Sequence, residues 1–336
     1  MSKAFYPGVF LLALLLSGCG SKRHFEPEEL RGKVHFSGKI GSSILSTQRE
    51  GAMLKDGRFI TRDGIQNFTL PKGFSFLNDS ERYYLAVNEL GTLGLFPKNG
   101  NAGALELKFA AKPLSARIEG DLLALVLADN SLVLYQISTQ KELFLEQGDH
   151  AVALNTLIAS PLFLNDLILF PTLDGKLVIV DRENRKIVRN IIVHSDLGDS
   201  YFNNVIFLDV LSNRLVAATS KRIISVSPEA INVYEANIRD VLFLRERIYI
   251  LTTEGQVILT DENLNVLRSL KFPFAHFSGV LHGKQIYALE KRGYLVVLDV
   301  DLLGSSVYKM PSDIDTPVFS GGERFYIDNR YFEPTE

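Results

Sequence analysis

The 336-residue sequence predicts an all-β fold, an eight-bladed β-propeller with seven blades as the alternative, on three observations. A short apolar run, a turn with Asp, Asn or Gly, a second apolar run, a polar turn and a third run recur along the chain. The recurrence has a period near 40 residues, the period of propellers built from four short strands per blade. No stretch carries the 3.6-residue apolar spacing of a long helix.

The clearest copy is Asp166–Val193. Leu167-Ile168-Leu169-Phe170 precedes Leu173-Asp174-Gly175, then come Leu177-Val178-Ile179-Val180-Asp181, a polar turn Arg182-Glu183-Asn184-Arg185, and Lys186-Ile187-Val188. Asp-Gly between two runs rich in Val, Ile, Leu and Phe is a strong hairpin signal. The same hairpin recurs in Leu122–Leu127 with Leu132–Tyr135, in Ile248–Leu251 with Val257–Leu259, and in Ile286–Leu289 with Leu295–Leu298. Weaker copies centre on Phe59, Leu93 and Ile223. The first core residues after the turns stand at 59, 93, 132, 177, 223, 257 and 295, with gaps of 34, 39, 45, 46, 34 and 38.

Beyond the last full copy lie three more runs, Thr316–Phe319, Phe325–Ile327 and Tyr331-Phe332. Before the first lies one unpaired run, Val34–Ile40. Joining them completes an eighth blade and closes the ring, which removes exposed sheet edges. Seven blades result only if the Phe59 region is not a full blade.

The N-terminus reads as a lipoprotein signal peptide over residues 1–18: Lys3, an apolar block Val9–Leu16, then small residues before Cys19. The block is far shorter than the roughly 20 residues a membrane-crossing helix needs. Leu16-Ser17-Gly18-Cys19 resembles the lipobox of bacterial lipoproteins, and the resemblance implies acylation of Cys19 after cleavage. Cys19 is the only cysteine, so no internal disulfide can form. By the same resemblance Gly20, rather than Asp, after the cysteine implies sorting to the outer membrane, with the folded body facing the periplasm. The polar stretch within residues 19–32 reads as a tether, and 33–336 as the propeller.

Net charge is −3 without charged blocks, which argues against a nucleic-acid partner. Hydrophobic residues make up 46%, ample for one large β domain, and 22 Phe and 12 Tyr accompany no Trp. The six histidines (His24, His35, His150, His194, His276, His282) show no spacing that would pair two of them on one element, and no nucleophile elbow or phosphate loop occurs. Asp129, Asp174, Asp181, Asp261, Asp299 and Asp301 stand in turns, where a carboxylate serves the turn's own backbone more often than a metal. No cofactor or metal is expected. The loop His194–Asn204 is longer than its counterparts and mixes Asp196 and Asp199 with Leu197, Tyr201 and Phe202. Those five residues are the candidate partner-binding set, unless Tyr201 and Phe202 simply begin the next inner strand.

The run Asp174–Asp181 with Lys186-Ile187-Val188 resembles the repeat of quinoprotein-type propellers, with Arg189 or Asn190 where that repeat places tryptophan. Two functions use the repeat. Pyrroloquinoline quinone dehydrogenases stack the cofactor on tryptophan, commonly against a vicinal disulfide. This chain lacks tryptophan and has a single cysteine. The BamB family are propeller lipoproteins of the outer-membrane β-barrel assembly machine, and an eight-bladed, lipid-anchored chain of this size resembles them. The resemblance implies a non-enzymatic scaffold whose loops hold the barrel-assembly subunit, and whose strand edges can receive unfolded barrel clients. The alternative is a periplasmic small-ligand binder or quinoprotein-like enzyme working in the central channel, which a polar cluster at the channel mouth would favour.

Overall fold

A computed structural model describes residues 24–334 apart from 101–102, 152, 154 and 195–202. The described residues form eight antiparallel blades and no helix. In chain order the first blade is Ile44–Thr47, Gly51–Leu54, Phe59–Thr61 and Gly64–Ile65. The second is Phe74–Asp79, Tyr83–Asn88, Leu93–Pro97 and Leu105–Leu107. The third is Pro113–Glu119, Leu122–Leu127, Ser131–Gln136 and Lys141–Gln147. The fourth is Leu162–Leu164, Leu167–Pro171, Lys176–Asp181 and Ile187–Ile192. The fifth is Phe207–Leu211, Arg214–Ala218, Arg222–Val226 and Ile231–Glu235. The sixth is Ile238–Leu244, Arg247–Thr252, Gln256–Asp261 and Val266–Lys271. The seventh is Phe277–His282, Ile286–Glu290, Tyr294–Leu298 and Ser305–Lys309. The eighth joins Val318–Gly321, Arg324–Ile327 and Arg330–Phe332 to Gly38–Lys39. Blade 1 is a full blade of short strands, so the ring has eight blades.

The second and third strands of most blades are buried on both faces, which is why they read as unbroken apolar runs rather than as an alternation. One apolar cluster fills each of the eight junctions between neighbouring blades. Six aromatic residues crowd the junction of blades 1 and 2, with Phe59 and Phe76 stacked at 4.7 Å. Large rings there compensate for short strands, and this is why the Phe59 copy departs from the repeat. The fourth strands carry mostly exposed residues and form the rim, and the first strands face the centre.

The ring closes where the sequence places the closure. Gly38–Lys39 pairs antiparallel with Arg330-Tyr331, and Ser37 and Ile40 donate backbone hydrogen bonds to Tyr331 and Asn329. The closing strand is shorter than Val34–Ile40, because Val34 and Phe36 pack into the cluster between blades 7 and 8.

The described part of the tether differs from expectation. Phe25 is only 4% exposed and packs edge-on against Phe272 and Tyr294, between blades 6 and 7. Gly32–Lys33 then adds to the outer strand of blade 7 as a fifth, parallel strand. An aromatic residue inside a polar stretch finds an apolar gap, and the outer strand's unpaired backbone supplies partners for the segment that follows. From Phe25 onward this stretch is a docked strap.

Candidate functional site

Two places combine polar chemistry with a rigid setting: the mouth of the central channel, and the base of the loop between blades 4 and 5.

The channel mouth is built from the middle of first strands and from the turns at one end of blade 1. Arg49 and Glu50 occupy the first turn of blade 1, Arg62 its last, Arg117 lies in blade 3, Asp209 in blade 5 and Asp240 in blade 6. The Arg49 side chain reaches across the ring. Its Nη1 donates to Asp240 Oδ1 at 2.9 Å, and its guanidinium sits 5.8 Å over the Phe207 ring. Arg62 Nε meets Glu50 Oε2 at 3.0 Å. Asn78 in blade 2 donates to Ala116 O at 2.6 Å and to Ser160 Oγ at 3.3 Å, tying three blades together. Around these groups lies a cavity of about 240 Å³.

The electrostatics follow from burial and from the mixed charge. Burial works to raise the Glu50 carboxyl, but the cations Arg62, Arg117 and Arg49 hold it below the ordinary glutamate range. Burial dominates at Asp209 and pushes its carboxyl up, against the pull of Arg62 and Arg117. Arg49 Nε and Nη2 are shielded from solvent without a hydrogen-bond partner, so part of this cation's desolvation is uncompensated. None of these residues belongs to the candidate set read from the sequence. A charge inside an apolar first strand is the signal for Asp209 and Asp240, as in Phe207-Leu208-Asp209-Val210-Leu211 and Ile238-Arg239-Asp240-Val241-Leu242, whereas Arg49, Glu50 and Arg62 stand in turns and carry no such signal.

Asp196, Leu197, Asp199, Tyr201 and Phe202 lie outside the described residues, as does Cys19. Both ends of their loop are described and pinned. Val193 and His194 donate to Gly175 O at 2.9 and 2.8 Å, and Arg222 Nη1 donates to His194 O at 2.7 Å. On the far side Asn204 is fully buried and exchanges hydrogen bonds with Asn155, each 3.3 Å, and Val205 donates to Thr172 O. Gly175 makes this base possible. Its φ is +84°, and a Cβ there would lie 2.5 Å from Asn203 O. The inner strand of blade 5 begins at Phe207.

The turn aspartates serve turns and blade junctions. Asp181 accepts from Glu183 and Asn184 N–H, Asp261 from Asn263 and Asn265, and Asp299 from Asp301, Leu303 and Gly304. Asp129 accepts from Ser131 N–H, while Asp174 pairs with Lys176 and Asp301 with Arg247, both at 2.6 Å.

No family model matches the chain. Among solved structures it resembles BamB from Moraxella catarrhalis, with a TM-score of 0.67 and 15% identity over 88% of this chain and 99% of that one. It also resembles the C-terminal WD40 domain of Sif2, with a TM-score of 0.64 and 12% identity over 91% and 100%. At these identities the likeness is one of fold, and it matches the BamB-like propeller expected from the repeat. In sequence the chain is 34% identical over 392 aligned positions to the plasminogen-binding protein PgbB of Helicobacter pylori strain J99. That alignment covers 99% of this chain and 71% of the relative. The PgbB of strain 26695 is 34% identical over 391 positions, with the same coverage. With this identity along nearly its whole length, the chain belongs to the family of the Helicobacter pylori plasminogen-binding protein PgbB.

Proposed function

We propose that this protein is a non-enzymatic lipoprotein of the bacterial envelope, acylated at Cys19, whose propeller is a rigid platform for protein–protein contact. The observation that carries this reading is the 34% identity, over 99% of the chain, to proteins named for binding plasminogen. Plasminogen is therefore the first partner to test. Pinned loop ends on a ring with eight packed junctions support a binding role, since rigid presentation lowers the ordering cost of association.

The second reading is assistance to β-barrel assembly in the outer membrane, through contacts with the barrel-assembly subunit and with unfolded clients. The likeness of fold to BamB, together with the lipobox, favours it. The charged channel mouth is the feature a small-ligand site would use. Its ion pairs Arg49–Asp240 and Arg62–Glu50 tie blade 1 to blade 6 and join two turns of blade 1, which supports a bracing role instead.

One experiment separates the readings. The acylated protein is isolated from crosslinked membranes and its companions are identified, and the same preparation is titrated with plasminogen by surface plasmon resonance. Saturable plasminogen binding supports the first reading. Near-stoichiometric recovery of the barrel-assembly subunit supports the second. Neither result would sink the platform reading and return attention to the channel.

A further inference from the structure

The strap ties the lipid end of the chain to one place on the rim. Phe25 is locked between blades 6 and 7, and Gly32–Lys33 is hydrogen-bonded to the outer strand of blade 7. Only six peptide units separate Cys19 from Phe25, so their Cα atoms lie at most about 20 Å apart. An acyl chain on Cys19 therefore holds this sector of the rim within about that distance of the bilayer surface.

The same sector carries the chemistry of an interfacial surface. Phe272-Pro273-Phe274-Ala275 is a turn closed by Ala275 N–H to Phe272 O at 3.0 Å, with Phe274 at φ +64°. That position normally takes Gly or Asn. Here it holds an aromatic residue that is 45% exposed. Leu303, 72% exposed, ends the turn before the outer strand of blade 7. Leu267 on the outer strand of blade 6 and Leu30 on the strap are exposed as well. Arg31 and Lys271 line the groove between strap and rim, together with Glu26, Glu28 and Glu29. Exposed apolar tips on the rim suit a lipid–water interface, where they enter the headgroup layer.

We propose that the blade 6–blade 7 rim rests on the lipid surface and that the strap holds the propeller edge-on to the membrane. The partner of this surface is the bilayer itself. Blades 2 and 3, opposite in the eight-bladed ring, then project away from the membrane toward protein partners, with the loop base at the blade 4–blade 5 boundary a quarter turn from the lipid surface. The inference rests on the acylation proposed above.

The test uses full-length acylated protein in phosphatidylethanolamine/phosphatidylglycerol vesicles that carry a brominated-lipid quencher. Cys19 is the only native cysteine, so an added one can be labelled selectively. A fluorophore on Ser305→Cys, at the rim of blade 7, is expected to be quenched several-fold more than one on Glu142→Cys, on the outer strand of blade 3. Phe25→Ala, read well below its own unfolding transition because the ring is buried between two blades, is expected to erase the difference. Equal quenching at the two positions, or a difference that survives Phe25→Ala, would overturn the orientation while leaving acylation intact. Intact mass without the acyl groups would overturn the attachment reading instead, and this proposal with it.

Discussion

Arg49 and Asp240 meet across the channel from blades 1 and 6, with 13% and 20% of their side chains exposed. Removing one partner strands the other charge, so Asp240→Ala is expected to cost about 3 kcal/mol in denaturant unfolding. The double change Arg49→Met/Asp240→Leu should recover most of that loss, because it removes both desolvation costs together. Asp209 makes a prediction of opposite sign. Burial raises its carboxyl above the ordinary value, so the folded state holds the proton more tightly than the unfolded state. Its contribution to stability therefore improves as pH falls through the raised value and is unfavourable at neutral pH. Asp209→Asn is expected to raise the melting temperature at pH 7 and to have little effect near pH 4. Glu50 works the other way. Its lowered carboxyl contributes stability above the unfolded value, and this is lost as pH falls through the folded one.

At the scale of single elements, one position repeats with changing chemistry. The last residue of the second strand supplies a side-chain acceptor to the turn that follows. Asn88 accepts from Thr92 N–H, Thr252 from Gln256, and Glu290 from Arg292, and Thr172, just after its strand, accepts from Lys176. Thr219, just after its strand, does the same for Lys221 and Arg222. Thr252→Val keeps the shape and deletes the acceptor, and is expected to cost about 1 kcal/mol. In the same turn of blade 7, Gly293 has φ +69°, and an added Cβ would lie 2.2 Å from Ser312 O. Gly293→Ala should cost about 2 kcal/mol or more by thermal unfolding, from the left-handed backbone and the backbone clash together. The loop between blades 4 and 5 is held at both of its described ends. Tyr201→Ala/Phe202→Ala is expected to weaken partner binding at least about tenfold with unchanged stability. A fall in stability of the size expected for core aromatics would instead assign both residues to the core.

For the whole molecule, stability is shared among eight similar junctions, and closure depends on two residues near one terminus pairing with a strand near the other. Deleting residues up to Ile40 removes Gly38–Lys39 and leaves the Arg330–Phe332 strand as an open edge. Such a chain is expected to lose its single cooperative transition and to associate at micromolar concentration in size-exclusion chromatography.

The sequence by itself determined the propeller and where its ring closes, and left the blade count at eight or seven, a choice that the complete blade 1 decides. In blades 1 to 7 each third strand begins within one residue of a position picked from the repeat, because strands buried on both faces must be continuously apolar and their turns need Asp, Asn or Gly. It also showed what five of the six turn aspartates do, since each has a partner two to five residues away, whereas Asp301 pairs with the distant Arg247. Only the tertiary structure decided the rest. Arg49 and Asp240 are 191 residues apart, and nothing local indicates that ring closure aims one at the other. Phe25 reads as part of a polar tether until the gap between blades 6 and 7 exists to receive it. Local chemistry is written in neighbouring residues, whereas contacts across the ring come into being only when eight blades have closed it.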